Sequence, residues 1–466
     1  MESKIIFYVA PLKHPFLHVV RVGLKKQPRF LSVPQSLFMF WTTVLLAATY
    51  AMLTRAGACP GQPNAFPVWT GPPRFHMRIP NGEHYVAGNG TDTFNVLHLY
   101  GSYYDMGVAQ GRLFASVIPT GINRLYDWIE QQVEQSVPWI PAWIAAIIAD
   151  FGAPLAFEIT FNQTKAFIPQ KYLDEMKGIA DGAGVPHQDI YNVNMIPETI
   201  KAQCSVIGAN KAATANSPGV NGGLIHLRTL DGMGGYSMPI KDLATVAVYH
   251  PDNATGEATH ANFAWISFVG TVTGFGDFVG VGEKFWDGQN ETIESTAGEP
   301  WMFVTRDMLT KRSLSDAMNH LKNAKRTCAV RLGIGGRLEN KFYGAQVAAK
   351  AYELFNSSTD NDPPNHPAIK DIVYWDKHSQ PSPSDCFPTL FKQYYGNISA
   401  ERLALDVAPV AKTGDLHAAI FDYPNQIAFF SNARKTFATD GPLKAYDRQF
   451  TRLDMRKLFA KTYGVE

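Results

Sequence analysis

The sequence predicts a mixed α+β protein, a four-layer α-β-β-α sandwich that is preceded by a helical N-terminal segment. Three observations lead to this prediction. Apolar residues between Asp105 and Gly184 recur near helical spacing. From Cys204 onward the pattern becomes that of short strands separated by Gly, Asn and Pro turns. Two helical segments, 301–311 and 313–324, lie between these strands and a second set of strands.

The composition is that of a globular protein with a large core. The chain has 466 residues, a length at which single layered folds are common. It is 45% apolar and 18% charged, and its formal net charge is only +1. That charge and the lack of a basic stripe interleaved with aromatic residues argue against nucleic acid as a partner. The thirteen histidines do not show metal-ligand spacing, and we predict neither a metal nor a cofactor.

The N-terminus resembles a targeting segment. Residues 1–35 carry six Lys or Arg against one acid, and residues 36–53 contain no charge. Ala56-Gly-Ala58 then matches a cleavage pattern. We therefore predict a cytosolic basic segment over 1–35, a signal peptide or signal anchor over 36–58, and a lumenal remainder. Met39 is an alternative start. The protein is expected in the lysosomal lumen, secreted, or anchored as a type II membrane protein.

Six Asn-x-Ser/Thr sequons agree with passage through the secretory pathway. We expect their asparagines at the surface: Asn89, Asn162, Asn253, Asn290, Asn356 and Asn397.

A second apolar stretch, 138–157, lies between prolines and is apolar almost all round. It is too short to span a bilayer. It predicts either a buried core helix or, over 139–157, a helix that contacts a membrane and helps to extract a lipid.

The candidate nucleophile is Cys204, at the start of the strand-like run that follows the helical half of the chain. A thiol needs a base to become a thiolate near neutral pH, and the sequence has no neighbouring catalytic histidine signature. The α-amino group of Cys204, with a reference pKa of about 7.7 to 8.0, supplies that base if the chain is cut between Gln203 and Cys204. This is the layout of an N-terminal nucleophile.

Arg228 and Asp231 are candidates to flank this thiol from the next strand. They are three residues apart, so on an unbroken strand they face opposite sides. Both serve Cys204 only if the strand ends or bulges near Thr229. With Cys204 as the nucleophile, we expect Cys328 and Cys386 to form a disulfide in an oxidising lumen, with Cys59 as a substitute for either.

Several segments around Cys204 resemble the cysteine-type N-terminal nucleophile hydrolases. This family includes acid ceramidase, N-acylethanolamine amidase, choloylglycine hydrolase and the penicillin-forming acyl transferases. The resemblance covers roughly residues 95–435. The segments that carry it, in order along the chain, are GSYYDMGVAQG at 101–111, EMKGIADGAGV at 175–185, DIYNVN at 189–194, FVGTVTG at 268–274 and VGEKF at 281–285.

The resemblance implies a four-layer fold and a self-cleaved chain whose fragments, 59–203 and 204–466, stay associated. It also implies that Cys204 forms a thioester, that Asp231 holds the Cys204 amine, and that Arg228 orients the thiolate or the scissile carbonyl. Glu283, on the acid-bearing strand, is a further candidate.

The resemblance points to two more candidates, for the oxyanion. Where ceramidase-like chains have Gly-Gly-Asn, this chain has Gly335-Gly336-Arg337, with Asn340 three residues on. Arg337 and Asn340 are therefore possible oxyanion or substrate contacts.

The predicted function is hydrolysis of acyl amide bonds in N-acylated lipids or amino acids, with a small lipid-like acyl substrate as the partner. Two alternatives stay open. One is a phospholipase-B-like ester hydrolase or acyltransferase on the same fold. The other is a catalytically inactive, membrane-tethered glycoprotein.

Overall fold

Two stacked β-sheets with helices on both outer faces form the body of the protein in a computed structural model. The structure describes residues 59–135, 140, 142–200, 202–232, 237–286, 293–357, 367–433 and 441–465, all within one compact unit, Ala56–Glu466. The predicted segments 1–35 and 36–58 lie outside these residues. Within the described part of the chain, no helix has the length and apolar content needed to cross a membrane.

The larger sheet has ten strands in the order β1-β2-β3-β6-β7-β8-β9-β10-β11-β12. Neighbouring strands are antiparallel except β3 and β6, which are parallel. The strands are Arg74–Ile79 (β1), Gly82–Ala87 (β2), Phe94–Gly101 (β3), Ala244–Pro251 (β6), His260–Trp265 (β7), Thr273–Gly276 (β8), Val279–Phe285 (β9), Val330–Gly336 (β10), Lys341–Ala348 (β11) and Ala351–Phe355 (β12).

The smaller sheet has six strands, all antiparallel to their neighbours, in the order β13-β4-β5-β14-β15-β16. Its strands are Gln203–Ala209 (β4), Ile225–Asp231 (β5), Ile372–Trp375 (β13), His417–Asp422 (β14), Ile427–Asn432 (β15) and Thr451–Asp454 (β16). β4 and β5, which carry most of the predicted site, are at the middle of this sheet.

The two sheets pack face to face through small residues. A Cβ on Gly208 in β4 would lie 2.1 Å from the ring of Phe342, and one on Gly333 in β10 would lie 2.3 Å from Val206. Any side chain at either glycine would therefore collide with the opposite sheet. The even-numbered residues of β4, Cys204 among them, therefore face the other sheet.

Helices cover both outer faces and complete four layers. α1, α5, α7 and α8 pack on or beside the ten-stranded sheet. A second apolar cluster joins α9 and the helical turns after it to the six-stranded sheet. The helices are Tyr103–Leu113 (α1), Ile118–Glu134 (α2), Ala142–Phe151 (α3), Ala153–Thr164 (α4), Gln170–Ala183 (α5), His187–Thr199 (α6), Trp301–Leu309 (α7), Leu314–Asn323 (α8), Cys386–Tyr394 (α9), Ala400–Arg402 (α10), Ala408–Ala411 (α11) and Met455–Ala460 (α12), with a π-helical stretch at Leu403–Val407.

Glycines allow α1 and α5 to cross with their backbones in contact. A Cβ on Gly107 would lie 2.2 Å from the carbonyl oxygen of Glu175, and one on Gly178 would lie 2.3 Å from that of Tyr104. Gly107 and Gly178, which lie within the first two family-like segments, thus serve packing.

The predicted sandwich is confirmed, and two local predictions are wrong. The segment 59–203 is not wholly helical, because β1, β2 and β3 precede α1. The apolar stretch 138–157 is not one helix, because Gly152, with φ of 85°, separates α3 from α4.

The exposure of α3 bears on the two interpretations of the apolar stretch. Helix α3 buries Ile144 and Ile148, but Trp143 and Phe151 are 52% and 69% exposed. Part of the stretch is therefore core, and part of it is an apolar surface.

Candidate active site

Cys204 is the second residue of β4 and is fully buried. Helix α6 ends at Thr199, and the chain enters the sheet a few residues later. Gln203, the first residue of the strand, is exposed. The bond between Gln203 and Cys204 therefore joins an exposed residue to a buried one, at the end of a strand.

Arg228 is the side chain in closest polar contact with the thiol. Its Nη2 lies 3.2 Å from the Sγ of Cys204 and 3.2 Å from Oε2 of Glu283, and its Nε donates to the Glu283 carbonyl oxygen at 3.1 Å. A Cβ on Gly282 would lie 2.7 Å from Cγ of Arg228. Glycine is therefore needed there for the arginine to pass, and the structure brings Cys204, Arg228 and Glu283 together as the sequence suggests.

Burial sets the protonation of this cluster. It raises the pKa of the Cys204 thiol to about 12, although the positive charge of Arg228 acts in the other direction. Burial also raises the pKa of Glu283 to about 7, against the lowering effect of Arg228 and Lys284. In the uncut chain the thiol is therefore neutral near pH 7, and Glu283 is about half protonated.

Asp231 lies on the opposite face of β5 from Arg228. The register of β4 and β5 runs without a shift from Ala209↔Ile225 to Gln203↔Asp231, so the strand does not bulge at Thr229. The Asp231 carboxylate accepts hydrogen bonds from Thr413 Oγ1 at 2.6 Å and from the Gly414 amide at 2.8 Å. Asp231 thus stands beside the bond to be cut, but not beside the sulfur.

Thr413 is a residue that the sequence did not suggest. Besides Asp231, its hydroxyl contacts Ser205 Oγ at 2.6 Å and Thr229 Oγ1 at 2.7 Å. This chain of hydroxyls lies on the outer face of the sheet, directly behind Cys204. No local sequence pattern could have indicated this contact, since Thr413 is 182 residues from Asp231.

Arg337 and Asn340 are not part of this cluster. They lie at the β10–β11 turn, whereas Glu283 is opposite Leu332, five residues back along β10, roughly 17 Å at strand spacing. Arg337 is paired with Asp277 at 3.3 Å, and Asn340 donates to the Gly222 carbonyl at 3.0 Å. The structure therefore does not place these two oxyanion candidates near Cys204.

An apolar cavity of about 60 Å³ borders the cluster, and we call it the inner cavity. Ala202, Arg228 and Glu283 form one part of its wall. Nη1 of Arg228 and Nε1 of Trp265, both on residues of the wall, are buried and have no hydrogen-bond partner among the described residues. The rest of the wall is mainly apolar: Ile196, Pro197, Ile200, Leu230, Met238, Ile240, Phe268, Val272, Phe285, Trp301 and Val330, with Glu198 and Cys328.

A larger cavity of about 730 Å³, the outer cavity, shares Glu198 and Cys328 with the inner one. Its other lining residues are Ala142, Trp143, Thr160, Gln163, Thr164, Thr199, Glu294, Ser295 and Thr296. These residues come from α3, α4, α6 and two loops. No single motif in the sequence therefore predicted either cavity.

The cysteine pairing differs from the prediction. Cys386 forms a disulfide with Cys59, not with Cys328. Cys328 lies at the wall between the two cavities instead, with its sulfur 4.0 Å from the Glu198 carbonyl oxygen. The alternative partner for Cys386 is thus the correct one.

Four of the sequon asparagines, Asn89, Asn162, Asn253 and Asn397, are exposed. Asn356 is half-buried, and Asn290 lies outside the described residues.

Comparison with known proteins gives two related sequences. No family model matches the chain. Protein dcd1A of Dictyostelium discoideum is 33% identical over 420 residues, which covers 86% of this chain and 94% of dcd1A. Protein dcd1B of the same organism is 33% identical over 417 residues, 85% of this chain and 81% of dcd1B. The similarity therefore extends over most of each protein.

Two solved structures are more distant. The Caenorhabditis elegans ortholog of N-acylethanolamine-hydrolyzing acid amidase has a TM-score of 0.36 and 13% identity, and covers 47% of this chain and 93% of its own. Penicillin V acylase from Agrobacterium tumefaciens has a TM-score of 0.27 and 9% identity, with 55% and 80% covered.

Proposed function

The chain belongs to the family of the Dictyostelium discoideum proteins dcd1A and dcd1B, and we propose that it is a self-cleaving N-terminal nucleophile hydrolase that breaks acyl amide bonds through Cys204. The observation that carries the proposal is the contact between Arg228 Nη2 and Cys204 Sγ, 3.2 Å long and fully buried beside an apolar cavity. A buried thiol held by a cation at the exposed end of a strand suits nucleophilic attack.

The first reaction is maturation of the chain. The sulfur of Cys204 attacks the Gln203 carbonyl carbon, the bond from that carbon to the Cys204 nitrogen breaks, and the thiol proton passes to the nitrogen. Water then adds to the thioester, the sulfur regains a proton, and Gln203 becomes a carboxyl terminus. Cleavage thus produces the amine that the buried, neutral thiol lacks as a base.

The second reaction is turnover. The new amine takes the proton of the thiol, the thiolate attacks the substrate carbonyl, and the leaving amine departs with that proton. Water resolves the thioester. In this proposal Asp231, which is opposite Gln203 in the ladder and accepts a hydrogen bond from Thr413, holds the new amine. Arg228 offers Nη1, which has no other partner among the described residues, to the oxyanion.

The inner cavity supports an acyl group as the part of the substrate next to the sulfur. During self-cleavage the acyl part is the chain that ends at Gln203, and Ala202 of that chain lines the inner cavity together with Arg228 and Glu283. A substrate acyl group therefore takes the same side. The mainly apolar wall favours N-acylated lipids or N-acylated amino acids with an apolar acyl chain.

We also propose that the protein works in the secretory pathway, in the lysosome or outside the cell. The Cys59–Cys386 disulfide supports an oxidising compartment, and the exposed sequon asparagines are accessible to glycosylation.

The proposal is tested with the full chain made in a secretory host and incubated at acidic and neutral pH. We expect two bands on a reducing gel and a new N-terminus at Cys204, both absent from Cys204→Ala. The cut protein should then release fatty acid from N-acyl amides. An uncut wild-type chain at every pH would overturn the self-cleavage mechanism, and a cut chain that releases acyl groups from esters alone would assign the ester-hydrolase alternative.

A further inference from the structure

The inner and outer cavities together form one two-part site. They share the wall residues Glu198 and Cys328, and the inner one ends at Arg228 and Glu283 beside the sulfur. On the basis of the proposed function, we propose that the outer cavity binds a hydroxyl or ammonium group of the substrate and rejects a carboxylate or phosphate at that place.

The inner cavity itself indicates that a ligand belongs there. Arg228 is fully buried and Trp265 is 5% exposed, yet Nη1 of the first and Nε1 of the second have no partner among the described residues. Both nitrogens can only donate. A buried donor without an acceptor is costly, and a ligand that brings an acceptor, such as an acyl carbonyl, removes that cost.

The outer cavity carries more polar and acidic groups than the inner one. Its wall carries the carboxylates of Glu198 and Glu294 and the hydroxyls of five residues, and its described lining includes no Lys or Arg. The hydroxyls belong to Thr160, Thr164, Thr199, Ser295 and Thr296. Carboxylates accept hydrogen bonds and attract positive charge, while they repel an anion. The wall therefore suits a group that donates hydrogen bonds.

The two carboxylates are close enough to influence each other. The charge of Glu294 raises the pKa of Glu198, whose burial is the larger cause, to about 7. Glu294 is anchored, since its Oε1 accepts from the Ala329 amide at 3.0 Å. Glu294 is thus the fixed acid of the outer cavity, and changing it alters the charge there without touching Arg228 or Cys204.

The donor group has two possible positions on the substrate. Because the outer cavity follows the inner one away from the sulfur, the donor group stands at the far end of the acyl chain when the acyl group fills the inner cavity, as proposed above. It stands on the leaving amine when the substrate binds in the reverse orientation. The experiment therefore uses two series of amides, each with a constant carbon skeleton. One series varies the amine among ethanolamine, ethylenediamine and glycine. The other varies the acyl terminus among hydroxyl, ammonium and carboxylate.

With the cut wild-type protein, we expect kcat/KM in one series to be about tenfold or more lower for the carboxylate than for the hydroxyl or ammonium compound. Glu294→Gln should reduce this ratio, and Glu294→Lys should abolish or invert it. Glu353→Lys, which makes the same charge change at an exposed residue of β12, should leave the ratio unchanged. Equal rates within both series, unaffected by Glu294→Lys, would overturn the inference while leaving the proposed hydrolase intact.

Binding separates the two proposals if turnover fails. Cys204→Ala keeps both cavities, and calorimetry should show tighter binding of the hydroxyl or ammonium compound than of the carboxylate, with the same dependence on Glu294. Binding with this preference but no hydrolysis by the cut wild type would support the subsite and overturn the amidase. The subsite would be overturned by equal rates of hydrolysis within both series, combined with either equal binding or no binding.

Discussion

Arg228 donates from Nη2 to the sulfur of Cys204 at 3.2 Å, and neither side chain is exposed to solvent. The same nitrogen lies 3.2 Å from Oε2 of Glu283. One buried cation is therefore shared between a thiol and a carboxyl group. How strongly the arginine favours a thiolate depends on whether that carboxyl group is charged.

Replacing Arg228 by Lys keeps the charge but removes the planar fork that reaches the sulfur and the Glu283 carbonyl together. We expect self-cleavage to slow by about 100-fold, the order of effect of losing one preorganised donor. A time course on reducing gels measures the rate.

The matched control is Arg306→Lys, at a second fully buried arginine that pairs with Glu175 away from the site. It should leave the cleavage rate of the folded protein nearly unchanged. Equal slowing in both variants would mean that Arg228 acts only through stability.

The rate of self-cleavage should rise less steeply above pH 7 than below it. The fraction of Cys204 thiolate grows about tenfold per pH unit below the pKa of the thiol. Burial raises the pKa of Glu283 to about 7, so this group is mainly neutral at pH 5 and mainly charged at pH 8. Above pH 7 the Glu283 carboxylate raises the pKa of the thiol. Rates from reducing gels between pH 5 and 8 test this direction.

The variant Glu283→Gln keeps the shape of the side chain without a charge at any pH. Its rate should rise with the same slope over the whole range. A wild type whose rate rises as steeply above pH 7 as below it, or a variant with the same pH profile as the wild type, would contradict the role of Glu283.

The sequence allowed the middle of the site to be predicted, because alternation along a strand is a local rule. Cys204 opens β4, and Arg228 points to the same side of the sheet from β5, as the period of two requires. The same rule placed Asp231 on the other side. Whether Asp231 serves the mature amine depends on Thr413, which pattern analysis alone does not connect to it.

The rest of the site depends on long-range packing. Gly335 and Gly336 resembled part of an oxyanion site, but a Cβ on Gly335 would lie 2.3 Å from the Tyr423 hydroxyl, and one on Gly336 would meet Leu314 at 2.8 Å. Close packing explains these glycines. The disulfide was mispredicted for a related reason, since Cys59 and Cys386 are 327 positions apart and no local pattern indicates that they meet.

Thr413→Val should lower kcat clearly while it changes the free energy of unfolding only a little. The variant removes the hydroxyl that donates to Asp231 at 2.6 Å and leaves the Gly414 amide as its main donor. We expect kcat to fall by about tenfold to 100-fold, with an acidic shift of the pH profile, because an amine held less closely by a carboxylate has a lower pKa. The control Thr310→Val removes a buried hydroxyl bonded to the Asp307 carbonyl and should not change the profile.

Glu175→Gln should destabilise the protein strongly. Glu175 and Arg306 are fully buried, with Oε2 and Nη2 3.0 Å apart. Neutralising one partner leaves a buried charge without compensation, which costs about 3 to 5 kcal/mol. Chemical denaturation of the Cys204→Ala chain measures this. The control Asp406→Asn, at the partly exposed pair with Arg402, should change the free energy of unfolding by less than about 1 kcal/mol.

The Cys59–Cys386 disulfide should join the two products of self-cleavage. Cys59 belongs to the fragment that ends at Gln203, and Cys386 belongs to the fragment that begins at Cys204. Cut wild-type protein should therefore run as one band without reductant and as two bands with it. The variant Cys59→Ser/Cys386→Ser should give two bands in both conditions. Its fragments should still elute together in gel filtration, because buried contacts such as Glu175–Arg306 cross the cut. Two bands from the wild type without reductant would contradict the pairing, and separate elution of the variant fragments would show that the disulfide alone holds them together.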